Sequence, residues 1–194
     1  MLDLRFKPIN SRNVEDVCAL HRAAYLDDHF SSKFNDQLLS KYYLHLSDLN
    51  DGLCFISYSG TQAVGFVIAG KSLNNKVKEF VRLNRIAICF VILRNPSFII
   101  PKIKSLFTRF SKSKWKSTAD LRVLSIAVSP QFQGEGVGKS LLAHLESELK
   151  HLDTKLYGLS VKKSNIGAQE FYEKRGFIYE AGDKNSLYYV KELI

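Results

Sequence analysis

The sequence lacks any apolar run long enough to cross a membrane as a helix. Its longest, from Ile86 to Leu93, is far short of the ~20 residues that a bilayer requires. The opening stretch, MLDLRFKPIN, is too polar for a signal peptide. At 194 residues, 45% hydrophobic and 24% charged, the chain has the composition of one soluble domain. We therefore expect a single domain over residues 1–194 and a cytoplasmic location.

Cysteine is scarce. The three residues, Cys18, Cys54 and Cys89, are an odd number, lie far apart and have apolar neighbours. Neither a disulfide framework nor the close spacing of a metal site is present. We predict buried, reduced thiols and no metal ion.

Acidic residues are nearly missing from one segment. Between Lys71 and Ser117 there are twelve Lys or Arg residues and a single acid, Glu79, so that this stretch carries +11 while the whole chain carries +9. Three interpretations stay open: a solvated connection, part of a site for an anionic substrate such as a nucleotide-linked amino sugar or an acidic peptide, or contact with an anionic membrane surface. The last would make the protein peripheral to the inner surface of the membrane. Nucleic acid is not expected, because a basic patch alone does not read a sequence.

The first half of the chain favours strands and helices in mixed order. Alternation predicts an edge strand at 2–9, and two runs meeting at Ser59-Gly60-Thr61 predict a hairpin over 52–70. Asn13, with Asp16 three residues on, predicts the start of a helix. Further helices are predicted at 36–49, 79–93 and 103–110.

The second half alternates between strands and helices around a glycine-rich turn. The predicted strands are 121–128, 156–161, 177–181 and 187–192, and the predicted helices are 138–149 and 167–175. The turn, residues 131–142, reads QFQGEGVGKSLL. A strand that leads through a glycine-rich turn into a helix directs several backbone N–H groups to one point. Because these groups and the helix N-terminus favour negative charge, the turn predicts an anion site. The common nucleotide patterns fail, because Gln133 and Lys139 stand where glycines are needed.

Two blocks together resemble the GNAT superfamily of acetyl-CoA-dependent N-acetyltransferases. The first is Q-x-x-G-x-G, formed by Gln133, Gly136 and Gly138. The second is N-x-x-A-x-x-F-Y-x-x-x-G-F, and its matching positions are Asn165, Ala168, Phe171, Tyr172, Gly176 and Phe177. The resemblance is sharp over about 121–180 and absent over 71–117.

The resemblance implies an α/β (α+β mixed) fold with a central, mostly antiparallel sheet. Its fourth and fifth strands, here 121–128 and 156–161, splay apart to admit the pantetheine of acetyl-CoA, and helices flank the sheet. Residues 71–117 would be a basic helical insert. The implied cofactor-binding residues are Ile126, Ala127, Val128, Gln133, Gly134, Glu135, Gly136, Val137, Gly138, Lys139, Ser140, Asn165, Ala168 and Tyr172.

The implied reaction is direct attack of a primary amine on the thioester within a ternary complex. The Val128 N–H would stabilise the oxyanion and Tyr172 would protonate the leaving thiolate, although Tyr172 could instead be a packing residue. No base is evident; Asp120 and Ser125 are the nearest polar residues. His21, Tyr25 and His29 are spaced to share a helix face, and we assign His21, Tyr25 and Ser125 to the acceptor site.

The expected acceptor is an amino sugar or another small-molecule amine. Two alternatives remain: a protein or peptide N-acetyltransferase, and a non-catalytic acyl-CoA-binding sensor of the same fold. The sequence predicts no oligomeric state.

Overall fold

The computed structural model describes residues 2–25, 29–48, 53–95 and 117–193, and these form one seven-stranded sheet with flanking helices. The strands are β1 (Leu4–Pro8), β2 (Leu53–Ser59), β3 (Gln62–Lys71), β4 (Leu121–Val128), β5 (Leu156–Lys162), β6 (Ile178–Gly182) and β7 (Ser186–Glu192). Their order is β1-β2-β3-β4-β5-β7-β6. Only β4 and β5 pair in parallel, which confirms the predicted mostly antiparallel sheet.

Six helices lie within the described ranges. They are α1 (Val14–Ala24), α2 (Asp36–Ser47), α3 (Leu73–Leu83), α4 (Arg85–Arg94), α5 (Val137–His151) and α6 (Ile166–Glu173), with short 3-10 turns at Phe30–Lys33 and Pro130–Phe132. None of them is both long and apolar enough to cross a bilayer.

The sheet separates two hydrophobic cores. Along β3, Phe66 and Ile68 face α1 and α2, while Val67 and Ala69 face α5, because successive side chains of a strand point to opposite faces. Both faces of β3 are therefore buried, which explains its almost unbroken apolar sequence.

The predicted splay of β4 and β5 is present. Their pairing is limited to Leu121–Tyr157, Arg122–Gly158 and Val123–Leu159, and the later residues of both strands leave a cleft between them. A bulge at Leu124 accompanies the separation, since Val123 pairs with Ala69 and Ser125 with Ile68. The extra residue turns Ser125 and Ala127 toward α1, whereas Val123 stays in the core under α5.

The start and the end of α1 differ from expectation. Oδ1 of Asn13 accepts from the N–H of Asn10 and not from the helix, and Oδ2 of Asp16 accepts from the hydroxyl of Tyr58, so the predicted capping arrangement is wrong. The helix ends at Ala24, and Tyr25 has an extended backbone. His29 therefore does not share a face of α1.

The basic segment also departs from its prediction. Instead of one helix over 79–93, α3 and α4 meet at Asn84, whose side-chain amide donates to the carbonyl of Phe80. Such a local bond competes with the helical pattern. Cys89 is exposed on α4, so the prediction of a buried thiol is wrong there, although Cys18 and Cys54 are buried. The predicted helix at 103–110 lies outside the described residues.

Candidate active site

The open edge of β4 offers backbone groups to the cleft. The N–H of Ser129 donates to the carbonyl of Val64 at 2.8 Å, which sets the antiparallel alternation between β3 and β4. By this alternation Ala127 exchanges bonds with β3, while the backbone groups of Ile126 and Val128 point away from β3. Of the three predicted residues of this strand, Ile126 and Val128 thus present backbone hydrogen-bonding groups to the cleft, and Ala127 does not.

Beyond β4 the glycine-rich loop turns into α5. Gly134 and Gly136 have φ of +87° and +82°, a region that side chains disfavour. The first bond of the helix joins the N–H of Ser140 to the carbonyl of Gly136 at 3.0 Å. The N–H groups of Val137, Gly138 and Lys139 precede it, so they point out of the helix start, where the helix dipole is positive.

Exposure varies along this loop. Gln133, Gly134, Glu135, Gly136 and Lys139 are exposed, Gly138 and Ser140 are half-buried, and Val137 is buried in the core under the sheet. Val137 therefore anchors the loop through its side chain, and its exposed neighbours leave the backbone open to a ligand.

Gly138 lets helix α6 approach the loop. A Cβ added there would lie 3.3 Å from Cζ of Phe171 and 3.7 Å from Cγ2 of Val128. The Phe171 ring thus fills the space that a side chain at position 138 would need. This contact brings the two sequence blocks together at one end of the cleft.

Tyr172 follows on α6. The helix is capped by Asn165, whose Oδ1 accepts from the N–H of Ala168 at 3.1 Å. The Tyr172 ring packs between Phe171 and Phe177. Burial raises the pKa of Tyr172 well above its usual value, and the interaction with Tyr25 raises it further. Tyr172 therefore keeps its proton at neutral pH.

An aromatic group from α1 approaches the cleft from the other side of the sheet. The hydroxyl of Tyr25 lies 2.8 Å from Oγ of Ser125 and donates to the carbonyl of Ile126 at 3.0 Å. A carbonyl can only accept, so Ser125 is the donor in the first bond. The Tyr25 ring packs between the tilted rings of His21 and His29, with centroids 4.9 and 4.5 Å away, although α1 does not extend to His29.

His21 is the buried member of this group. Its Nδ1 lies 2.7 Å from the hydroxyl of Tyr43, a partner that spacing did not suggest, and Nε2 has no hydrogen-bond partner among the described residues. Burial lowers the pKa of His21 to about 4, with smaller contributions from His29 and Arg22. The imidazole is therefore uncharged at neutral pH.

The paired end of β4 carries charges that the sequence did not reveal. Arg122 lies over Gly158, where an added Cβ would be 2.9 Å from its Nη1, and its guanidinium is 3.8 Å from the carboxylate of Glu180. Asp120 is exposed just before this end of β4, away from the open cleft. Among the described residues no group of His, Cys, Asp or Glu is arranged to hold a metal ion.

A splayed β4–β5 pair followed by a glycine-rich helix start is the architecture of an acyl-CoA-dependent transferase. The sequence matches the family model "Acetyltransferase (GNAT) family" over residues 15–177. The chain belongs to this family, whose members are N-acetyltransferases that use acetyl-CoA.

Curated relatives match a shorter stretch. The ribosomal protein bS18-alanine N-acetyltransferase of Escherichia coli (strain K12) is 40% identical over 55 residues, which are 28% of this chain and 37% of the relative. The Salmonella typhimurium counterpart is 42% identical over the same length and the same shares. The match thus spans little more than a third of these relatives.

Solved structures share the fold. The ribosomal-protein-S18-alanine N-acetyltransferase of Escherichia coli superposes with a TM-score of 0.61 at 14% identity, covering 98% of this chain and 94% of the other. The PaiA N-acetyltransferase of Thermoplasma acidophilum, in complex with coenzyme A, gives 0.61 at 13% identity and covers 98% and 99%. At such identities the likeness concerns the fold alone.

Proposed function

We propose that this chain transfers an acetyl group from acetyl-CoA to a primary amine by direct attack in a ternary complex. The observation that carries the proposal is the grouping of three features: the open edge of β4, the start of α5, and Tyr172, whose neighbour Phe171 packs beside Gly138 at that helix start. Each supplies something that the reaction needs.

Acetyl-CoA binding draws on the first two features. The pantetheine would lie along Ile126 and Val128 as an added strand, and the N–H groups of Gly134 and of Gly136 to Lys139 would hold the pyrophosphate. The N–H groups of Gln133 and Glu135 donate to the carbonyls of Pro130 and Phe132 instead. Ala168 is half-buried on α6, and its N–H donates to the side chain of the capping residue Asn165. No metal ion is needed for this arrangement.

The chemistry draws on the third feature. The amine nitrogen attacks the thioester carbon, and the N–H of Val128 stabilises the oxyanion that forms. When the C–S bond breaks, Tyr172 gives its proton to the thiolate. The acceptor ammonium first gives one proton to water to become the attacking neutral amine, and the nitrogen gives a second proton to water after the attack. Water takes these protons in the proposal because His21 is buried among aromatic rings and its pKa, lowered to about 4, makes it a weak base.

The acceptor enters beside Tyr25, Ser125 and His21 in this proposal. A small-molecule amine such as an amino sugar is the first candidate. A protein N-terminus is the second, favoured by the similarity to acetyltransferases of the bS18 alanine. The presence of Tyr172 at the position that the second sequence block implies for the general acid supports catalysis over a sensor that only binds acyl-CoA.

A thiol-release assay with acetyl-CoA tests the proposal. Amino sugars, peptides with an N-terminal alanine and polyamines are offered in turn, and calorimetry measures CoA binding in parallel. Release with one class of amine identifies the acceptor. CoA binding without release in any arm would show a sensor and overturn the proposed transfer, and absent binding would overturn both.

A further inference from the structure

We infer that the outer face of α4 docks the protein on an anionic lipid bilayer. Helix α4 is apolar nearly all round, with the sequence RIAICFVILR. Only one side is covered: Ile88 is 5% exposed and belongs to the core that α1 and α2 share, whereas Ile86, Phe90 and Leu93 are 69%, 60% and 73% exposed. A helix apolar on every side is normally buried on every side.

The exposed residues form one continuous stripe. Successive helix residues turn by about 100°, so Ile86, Phe90 and Leu93 fall within one narrow sector, opposite Ile88. Arg85 and Arg94 are exposed on the two flanks of this sector. Apolar residues between flanking arginines allow insertion into the boundary of the acyl chains while the guanidinium groups stay among headgroups.

The charge around the stripe favours an anionic partner. Lys78 and Arg82 are also exposed on α3. The single acid of these two helices, Glu79, is turned to α2, with Oε2 3.5 Å from Nε2 of His45 and 3.6 Å from Nζ of Lys76. The exposed basic residues of α3 and α4 therefore outnumber the single acid, which is paired.

A groove beside the stripe has the same character. It encloses about 390 Å³ between α4 and the beginning of α2. Leu38, Phe90 and Val91 supply apolar lining, while Lys33 and Arg94 bring cationic groups to it. An apolar recess next to cations suits an acyl chain with its anionic headgroup.

Other occupants fit the charge less well. A second copy packed through the same face would oppose Arg85 and Arg94 with the same two arginines. Residues 96–116, which follow α4, contain six Lys or Arg and no acid, so the same repulsion acts on them. Anionic lipid is the occupant whose charge and apolar content both complement the face.

Co-sedimentation of the full chain with vesicles tests the inference. We expect binding to phosphatidylcholine mixed with phosphatidylglycerol, little binding to phosphatidylcholine alone, and weakening as salt rises. Changing Ile86, Phe90 and Leu93 together to Ser should reduce partitioning at least about tenfold. Changing Arg85 and Arg94 to Glu should do so too, while leaving the apolar stripe intact.

Matched controls lie elsewhere on the surface. Leu152 and Ile178 are exposed apolar residues, and Arg12 and Lys184 are exposed basic ones. Changing Leu152 and Ile178 to Ser, or Arg12 and Lys184 to Glu, should leave partitioning as in the wild type. Equal losses in controls and α4 variants would overturn the inference, as would unchanged binding of the α4 variants or no binding of the wild type.

Cys89 gives a second readout on the unmodified protein. It is exposed on α4, while Cys18 and Cys54 are buried, so a water-soluble maleimide should react first at Cys89. Mixed anionic vesicles should slow this reaction, and neutral vesicles should not. An unchanged rate under conditions of full sedimentation would place the contact elsewhere and overturn the inference. A dimer that Phe90→Ser dissociates, without vesicle binding, would assign the face to a second copy.

Discussion

The hydroxyl of Tyr25 lies 2.8 Å from Oγ of Ser125, joining the end of α1 to the middle of β4. The same hydroxyl donates to the carbonyl of Ile126 on the open side of that strand. Tyr25 therefore holds a carbonyl that faces the cleft, at the position where the proposed acceptor meets the thioester.

We expect Tyr25→Phe to raise KM for the amine about tenfold, roughly the free energy of one to two hydrogen bonds. The ring at position 25 keeps its packing against His21 and His29. The affinity for acetyl-CoA, measured by calorimetry, should therefore change less than twofold. Tyr42→Phe is the matched control, because Tyr42 is a nearby tyrosine packed on Phe34 and Phe80. Equal kinetics of the two variants would remove Tyr25 from the acceptor site.

Tyr172→Phe should lower kcat about 10²-fold, as expected for a positioned general acid. The ring packing on Phe171 and Phe177 is kept, so CoA affinity should be unchanged. Tyr189→Phe serves as the control, since its hydroxyl bonds to Glu173 on the same side of the sheet. If Tyr172→Phe turns over like the control with a chemistry-limited amine, Tyr172 is a packing residue.

Gly136→Val should weaken CoA binding at least tenfold, about 1.4 kcal/mol. The φ of +82° at Gly136 is unfavourable for valine, so the loop must change conformation. Its N–H groups then no longer point toward the pyrophosphate. Gly60→Val introduces a similar strain at φ +60° in the β2–β3 turn, with open space around it. Both variants should lose stability, but only Gly136→Val should lose affinity. Equal calorimetric affinities would contradict the assignment of this loop.

His21 should make the protein less stable in acid. Its pKa is about 4 when folded, against an ordinary value near 6.5, so the unfolded chain binds the proton first. The free energy of unfolding should therefore fall as pH drops from about 6.5 towards about 4. In His21→Gln, urea unfolding should show a shallower fall over this window. Parallel curves for both proteins would show that His21 does not titrate in this way.

Those parts of the site that depend on near neighbours in the chain could be predicted from the sequence. Gly134 and Gly136 determine the turn through their own backbone, and Asn165 caps the helix that it precedes. The mostly antiparallel sheet and the splay of its fourth and fifth strands followed from the resemblance.

Contacts between distant residues could not be predicted. The spacing of His21, Tyr25 and His29 predicted that α1 continues past Tyr25. In the structure the Tyr25 hydroxyl donates to β4 and the Tyr25 carbonyl accepts from the Ser32 hydroxyl, and both bonds favour an extended backbone at Tyr25. Arg122 and Glu180 come from strands far apart in the chain, so no local pattern joins them. Tertiary contacts of this kind override propensity.

The order of the sheet also has a consequence for how the protein folds. Strands β1 to β5 lie beside one another in chain order, and β2 and β3 are joined by a tight turn. Residues 72–120 separate β3 from β4. Among the connections from β1 to β5 this is the longest, so the pairing of β3 with β4 closes the longest loop. Loop-closure entropy grows slowly, by only about 0.6 kcal/mol for each doubling of length. The length of the basic segment therefore lowers the free energy of unfolding only slightly. It should mainly slow the step of folding in which β3 pairs with β4.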